Sequence, residues 1–351
     1  MTIPIMKLRM KSIICTHTTT LGKDSKRQCF CGKRNIRADA MNANRSRRHV
    51  AIVWPTLLSV GLAGGSDLEK SGARAATSPD LPSTSSDKTV LVVGASGKSG
   101  CQVVKSLLDR GFRVKAGVRN IERALQIESV KEGEQSYLQI GELAKDYDGD
   151  KLNLVSCDVT KGTVYLHDVV EGCDYIVCAT GFRPSLNTLF NGKDTSLQVD
   201  NLGTKNLVDA ALANTTKVKG FVLISSLLTN ARAVGEEQNP NFVFLNLLGG
   251  VLDAKKAGED YLRSSEIPYV IVRPGGLSDQ PASELGGLIL QEEDTLFGKD
   301  TDPGRVISRE EVGEVCAEAI IGFEKKTMKS RIVEIVQSVN TKVTKPEEWF
   351  L

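Results

Sequence analysis

The run Thr89-Val-Leu-Val-Val-Gly-Ala-Ser-Gly-Lys-Ser-Gly100 limits what this chain can become more than any other stretch. Five mostly β-branched residues lead into Gly94, Gly97 and Gly100, and a helix-compatible run, Cys101 to Arg110, follows. The pattern is strand, tight turn, helix. Such a turn lets backbone approach a diphosphate closely, and the helix start offers free N–H groups and a positive dipole end. The glycine spacing is G-x-x-G-x-x-G rather than G-x-G-x-x-G, so the context carries the weight: further βα repeats follow, as a dinucleotide site requires. A glycine-rich turn in some other α/β protein is the competing reading.

The repeats run in order. Strands are expected at Thr89–Val93, Arg113–Val118, Leu152–Ser156, Tyr175–Cys178, Gly220–Ser225, Tyr269–Val272 and Arg331–Val336. Helical patterns lie between them at Ile121–Ser129, Asn201–Ala213 and Phe242–Arg263, and from Ser308, with Glu311 as a capping-box partner, to Phe323. Residues 130–150 read as a charged, exposed insertion with some helix. Alternating strands and helices predict an α/β, doubly wound, Rossmann-type domain over 89–340, its sheet parallel and covered on both faces, with a small substrate-side region after the sixth strand. Residues 341–351 form a tail.

Charge is unevenly spread. Residues 1–66 carry five Lys and seven Arg against Asp24 and Asp39, while the rest holds 33 basic and 41 acidic residues. An acidic body argues against a nucleic-acid partner. The leader, residues 1–75, has the composition of a transit peptide. Within it Arg47-Arg48, the apolar run Val50–Ala63 and Ala73-Arg74-Ala75 resemble a lumen signal, with an accidental apolar patch as the alternative. The run is short for a membrane span, so no transmembrane helix is expected in the mature chain. Chloroplast import follows, to the stroma or a thylakoid-associated place, with the lumen kept open. Residues 76–88 are a Ser/Pro linker. The eight cysteines show no zinc spacing, and no metal is expected.

The turn supplies Gly94, Ser96, Gly97, Lys98, Ser99 and Gly100 as candidate cofactor contacts. An NAD-preferring unit ends its second strand with an acid for the ribose 2′-hydroxyl. Here Val118 is followed by Arg119, a fork-shaped cation suited to a 2′-phosphate, and Lys98 offers a second charge. NADP(H) is therefore favoured and NAD(H) kept as the alternative; a strand-capping arginine on a solvated face is the plainer reading of Arg119. Asp158, with Val159, is placed for the adenine amino group. Ala179, Thr180 and Gly181 fall at the switch point of the sheet, and Ser225 ends the fifth strand beside the nicotinamide position. Arg183 on the following loop faces a phosphate, an anionic substrate or only solvent. The apolar run Phe242–Leu248 reads as core, or as a membrane-surface or partner contact.

Several of these motifs together resemble the atypical short-chain dehydrogenase/reductases. They are Gly94-x-x-Gly97-x-x-Gly100, Asp158-Val159, Ala179-Thr-Gly181, Asn201-Leu-Gly-Thr204-Lys-Asn-Leu207 and Arg273-Pro274-Gly275. More specific stretches are Phe112–Arg119, Lys205–Ala210, Leu245-Asn-Leu247, Ile271–Gly276 and Asp294-Thr-Leu-Phe297. These are similar to the plastid branch that includes the dehydrogenase-like subunit of the inner-envelope translocon, and to its shorter flavin-reductase-like or NmrA-like relatives. The resemblance implies NAD(P)H binding, and it implies that Arg273, Pro274 and Gly275 form a loop against the nicotinamide. The chain ends at Leu351 without a long Pro/Ser repeat tail, so ferredoxin–NADP reductase is not carried over as a partner.

The family pairs a catalytic Tyr with a Lys four residues later on the long helix. Lys255 matches the Lys, as the one catalytic candidate and a ribose ligand, but Val251 stands in the Tyr position and donates no proton. Tyr147-x-x-x-Lys151 lies in the wrong place. Two readings follow: an NADPH-dependent oxidoreductase acting on an unknown small molecule, a planar or conjugated acceptor such as a flavin, tetrapyrrole or quinone; or an inactive NADP(H) sensor or scaffold for a thylakoid or envelope partner. A solvated surface lysine is the plain alternative for Lys255.

Overall fold

The computed structural model describes residues 87–127, 137–182, 195–247, 249–296 and 305–350. The leader, most of the linker, Arg183 and residues 130–136 of the insertion lie outside the described residues.

The strands are β1 Thr89–Val93, β2 Arg113–Val118, β3 Leu152–Ser156, β4 Tyr175–Cys178, β5 Gly220–Ile224, β6 Tyr269–Pro274, β7 Gly276–Ser278, β8 Gly287–Glu292, β9 Val306–Ser308 and β10 Arg331–Ser338. They form one sheet in the order β3-β2-β1-β4-β5-β6-β10-β9-β7, with β8 also on β10. From β3 to β10 every neighbour is parallel. An all-parallel sheet was expected, but β8 and β9 run antiparallel to β10. The chain reaches β10 from β9 through the helix Arg309–Glu324.

Helices α1 Lys98–Asp109, α2 Ile121–Leu125, α3 Ile140–Asp146, α4 Thr163–Val170, α5 Gly203–Ala213, α6 Pro240–Leu247, α7 Val251–Arg263, α8 Ala282–Leu285 and α9 Arg309–Glu324 cover the faces. Alternation along β1 shows why both faces are dry. Val90 and Val92 join a core with α1 and α9, while Leu91 and Val93 join a second core with α4 and α5. Val90 to Val93 are all apolar and buried, the mark of a strand covered on both faces.

Four expected helices differ. The helix expected over Ile121–Ser129 ends at Leu125, where Gln126 takes extended backbone. α1 begins at Lys98, three residues early, because Gly97 serves as its N-cap. Asn201 lies not in an α-helix but in a wide π-turn, Leu197–Leu202, that feeds α5. The pattern from Phe242 to Arg263 splits into α6 and α7, since Gly249 and Gly250 both take positive φ, +110° and +68°, where a side chain would be strained. At α9 the capping box is incomplete. Ser308 Oγ accepts from the Glu310 N–H, but the Ser308 N–H that Glu311 was to satisfy donates to Gln337 Oε1 at 2.8 Å.

Candidate functional site

The site begins at the turn after β1. The N–H groups of Gly94 and Ala95 donate to Gly117 O at 3.0 and 3.1 Å, tying the turn to β2. Gly94 has φ +85°, and a Cβ there would sit 2.9 Å from Ala179 O. At Gly100 a Cβ would lie 2.2 Å from Gly94 O, so α1 enters as closely as backbone allows. Gly97 caps α1 without a side chain. The first N–H groups of the helix, at Lys98, Ser99 and Gly100, therefore stay available for an anion, beside an exposed Ser96. Lys98 turns away from that role: its ammonium bonds Asp279 at 2.6 Å and lies over the Tyr137 ring. The expected second charge for a 2′-phosphate is thus engaged elsewhere, in a cleft of about 370 Å³ that also holds Arg309 and Gln280.

Arg119 is exposed just beyond the end of β2. Asp158 follows β3, and its Oδ1 accepts from the Thr160 N–H at 3.0 Å and the Thr160 hydroxyl at 2.7 Å, capping a short turn. Val159 beside it is buried against Gly203, where a Cβ would approach its Cγ2 to 2.5 Å.

Deeper in, the structure brings together Thr180, Ser225 and Lys255 and adds two residues that sequence reasoning missed, Asp200 and Thr204. All five line a cavity of about 10 Å³, the size that admits a single water. Lys255 Nζ lies 2.9 Å from Asp200 Oδ1; Lys255 keeps 15% of its side chain exposed and Asp200 none. The Phe182 N–H donates to Asp200 Oδ2 at 3.2 Å. Burial works against the Lys255 ammonium, but Asp200 more than offsets it and holds its pKa above the ordinary lysine value. Gly258 makes the pair possible, because a Cβ there would stand 2.6 Å from Asp200 O. The Ser225 hydroxyl is buried with no hydrogen-bond partner in the protein, which marks a polar group awaiting a ligand or water. Gly181 is exposed above, and a Cβ on it would come 3.7 Å from Lys255 Nζ. The signal for Asp200 was one acid in the otherwise apolar spacing ahead of Asn201-Leu-Gly; its partner was legible only in three dimensions.

One expectation is corrected. Arg273, Pro274 and Gly275 do not form a loop. Arg273 and Pro274 complete β6, the Leu227 N–H bonds Pro274 O, and the Gly275 N–H bonds Ile335 O. The Arg273 guanidinium is fully buried and consumed by carboxylates: Glu259 at 2.7 Å, Asp294 at 2.8 Å, Glu293 at 3.2 Å and Glu334 at 3.5 Å. It pins the segment after β8 to β6, α7 and β10. Tyr147 and Lys151 also serve locally, on Asp109 and Gly111 O. Among the described residues no cluster suits a metal ion.

Backbone donors at a glycine turn, a lysine beside the switch point and an orphaned hydroxyl fit a nicotinamide dinucleotide laid across the carboxyl ends of β1, β4 and β5. A family model for NAD(P)H-binding proteins matches residues 94–321. The chain belongs to this family, as an atypical short-chain dehydrogenase/reductase with a Rossmann-type fold. An uncharacterised chloroplastic protein of Arabidopsis thaliana is 40% identical over 71% of the chain and 76% of its own length. The chloroplastic protein TIC 62 of Pisum sativum is 33% identical over 77% of the chain, which spans only 47% of that protein. Sanguinarine reductase of Eschscholzia californica is 27% identical over 68% of the chain and 86% of its own length. Among solved structures, an oxidoreductase from Lactococcus lactis superposes with TM-score 0.52 at 19% identity, covering 75% of this chain and 94% of that one. That last likeness concerns the fold alone.

Proposed function

We propose that this protein is an NADPH-dependent reductase of a planar, conjugated acceptor, working in the chloroplast stroma. The observation that carries the reading is the Lys255–Asp200 pair beneath an exposed Gly181, with Ser225 unpartnered alongside. The bound dinucleotide would supply a hydride. The turn Gly94–Gly100 would hold its diphosphate on the N–H groups of α1, Arg119 would select the 2′-phosphate, and Asp158 would meet the adenine with the oxygen that Thr160 leaves over. Lys255 would hold the ribose hydroxyls, its direction fixed by Asp200. Ala179 and Thr180 would shape the floor of the ribose site. The relative named for sanguinarine reduction supports a reductase, and the chloroplastic relatives support the location. Residues 1–75 would then be the transit peptide, 76–88 a linker and 89–340 the working domain.

A second reading, an NADP(H)-sensing scaffold for a thylakoid or envelope partner, is favoured by one feature. α6 presents Phe244 and Leu247 to solvent at 61% and 80% exposure, more apolar surface than one helix face needs for packing. Calorimetric titration of the protein with NADPH and NADH, beside an Arg119→Asp variant, tests the cofactor assignment; a variant that keeps the full NADPH preference refutes the role of Arg119. NADPH oxidation with flavin, quinone and biliverdin then separates the readings. Tight binding of both cofactor forms without turnover on any acceptor sinks the reductase and leaves the scaffold.

A further inference from the structure

Resting on a dinucleotide at the glycine turn, we infer that Asp279 governs the affinity of that site: it withholds Lys98 from the cofactor phosphates, and a bound phosphate draws Lys98 off it. Lys98 is the first residue of α1, so its own N–H is among those the helix start offers to an anion. Its side chain goes the other way. The ammonium donates to Asp279 Oδ2 at 2.6 Å and rests 4.1 Å from the centre of the Tyr137 ring. Asp279 directly follows β7. Its other oxygen, Oδ1, accepts from the Arg309 guanidinium at 2.6 Å, and Arg309 opens α9. One carboxylate thus joins the cofactor turn to two elements that follow the sixth strand.

The geometry makes the Lys98–Asp279 pair releasable. Lysine carries a point charge on a flexible four-carbon stem, and Lys98 keeps 30% of its side chain exposed, so the ammonium can swing while α1 stays in place. Asp279 is not left alone when it goes. Arg309 remains on Oδ1, and the carboxylate keeps 20% of its side chain exposed in the cleft that Ser278 and Gln280 also line. Stripping the partner from a fully buried charge is costly; here a second cation and access to water keep that cost low. The diphosphate brings more negative charge to the turn than the single charge that Asp279 divides between two cations, and it meets the lysine stem at its root. Without a dinucleotide the bridge satisfies Lys98; with one, a phosphate does. The strength of the pair is therefore subtracted from each binding event, and the side chain at position 279 sets how much. Glu310 lines the same cleft and serves as a control, because its carboxylate accepts from the Ala282 N–H at 3.1 Å.

The test is a calorimetric double-mutant cycle on the full protein, titrated with NADPH and with NADH at one salt concentration. Asp279→Asn is expected to tighten NADPH about fivefold, the upper range for one pair near the surface, while Glu310→Gln, which removes an equal charge from the same cleft, changes it by less than about twofold. Asp279→Ala frees Lys98 by a different route and should give the same gain. In the Lys98→Met background Asp279→Asn should change nothing, because the group it releases is gone; that coupling separates a withheld lysine from a general change of field. A gain confined to NADPH assigns Lys98 to the 2′-phosphate, and an equal gain with NADH assigns it to the diphosphate. A gain that persists without Lys98, that Glu310→Gln matches, or that neither Asp279 variant shows overturns the inference and leaves the dinucleotide site standing. A wild-type protein that binds neither dinucleotide removes both.

Discussion

Replacing Lys255 by Met removes the counter-charge of a fully buried carboxylate. Among the described residues Asp200 then keeps one charge-stabilising contact, the Phe182 N–H at 3.2 Å. Breaking a buried ion pair from one side costs about 3–5 kcal/mol. Lys255 retains a solvent-facing edge of 15%, so part of the pair is already screened and the lower value, about 3 kcal/mol, applies. Asp200→Asn leaves the cation with that edge in water and an amide oxygen beside it, and should cost about 1–2 kcal/mol. The double variant has neither orphan, so it should cost about 2 kcal/mol, a coupling of at least about 2 kcal/mol. Urea unfolding of the four proteins, followed by circular dichroism, measures the cycle. The sign of its pH dependence is fixed. The folded pKa of Lys255 is raised, so its contribution is complete below the unfolded lysine value and fades only as pH climbs through the folded one. The coupling should be equal at pH 6 and pH 9 and shrink in stronger alkali. Additivity within about 0.5 kcal/mol would refute the pair as a structural unit.

Arg273→Met should destabilise by about 3–5 kcal/mol, because Glu259 and Glu334 stay fully buried without their cation; a loss under about 1 kcal/mol, the range of a surface pair, would contradict the cluster. Gly100→Ala must push its Cβ away from Gly94 O, at 2.2 Å, so it should cost about 1–3 kcal/mol and weaken NADPH binding in calorimetry. Burial, with Glu314 and Glu310 nearby, pushes the Glu311 carboxyl up to about 7. The stabilisation from its protonated form is complete below the ordinary glutamate pKa and is lost as pH rises through 7. Glu311→Gln should therefore raise stability by about 1 kcal/mol at pH 8, discounted for its partial exposure, and change little at pH 4, as thermal melts at the two values would show. Burial drives the Cys101 and Cys157 thiols up to about 12 and Cys173 to about 11, so these three should resist a thiol reagent in the folded protein at pH 8 and react on unfolding.

The sheet was legible because its signals are local. β-branched runs mark the strands, and the glycine turn ends the first of them within a few residues. The site was half legible. The turn, Thr180, Ser225 and Lys255 sit at strand ends or in a motif, so their neighbourhood follows from topology. Asp200 was missed because a π-turn has no apolar period of its own, and what makes it matter is a lysine 55 residues later. Arg273 was misplaced for a related reason. The resemblance put it in a loop against the nicotinamide, and only the convergence of α7, the segment after β8 and β10 supplies the carboxylates that bury it. The break at Gly249-Gly250 was written in the sequence and overridden by the apolar run before it, although two adjacent glycines can take the left-handed backbone that stops a helix.

β10 is the last strand made and one of the most interior. β8 lines one edge along Val333–Ser338, and the other edge is taken by β6 up to Ile335 and by β9 at Gln337. A chain emerging from a ribosome N-terminus first therefore has its glycine turn and five parallel neighbours ready while β6 still shows an open edge. Such an edge is a template for any other unpaired strand. The vulnerable interval lasts until residues 331–338 arrive, so the time to a closed sheet is set by the far end of the chain. A premature stop before Arg331 would leave the dinucleotide turn fully encoded and the molecule unable to protect it.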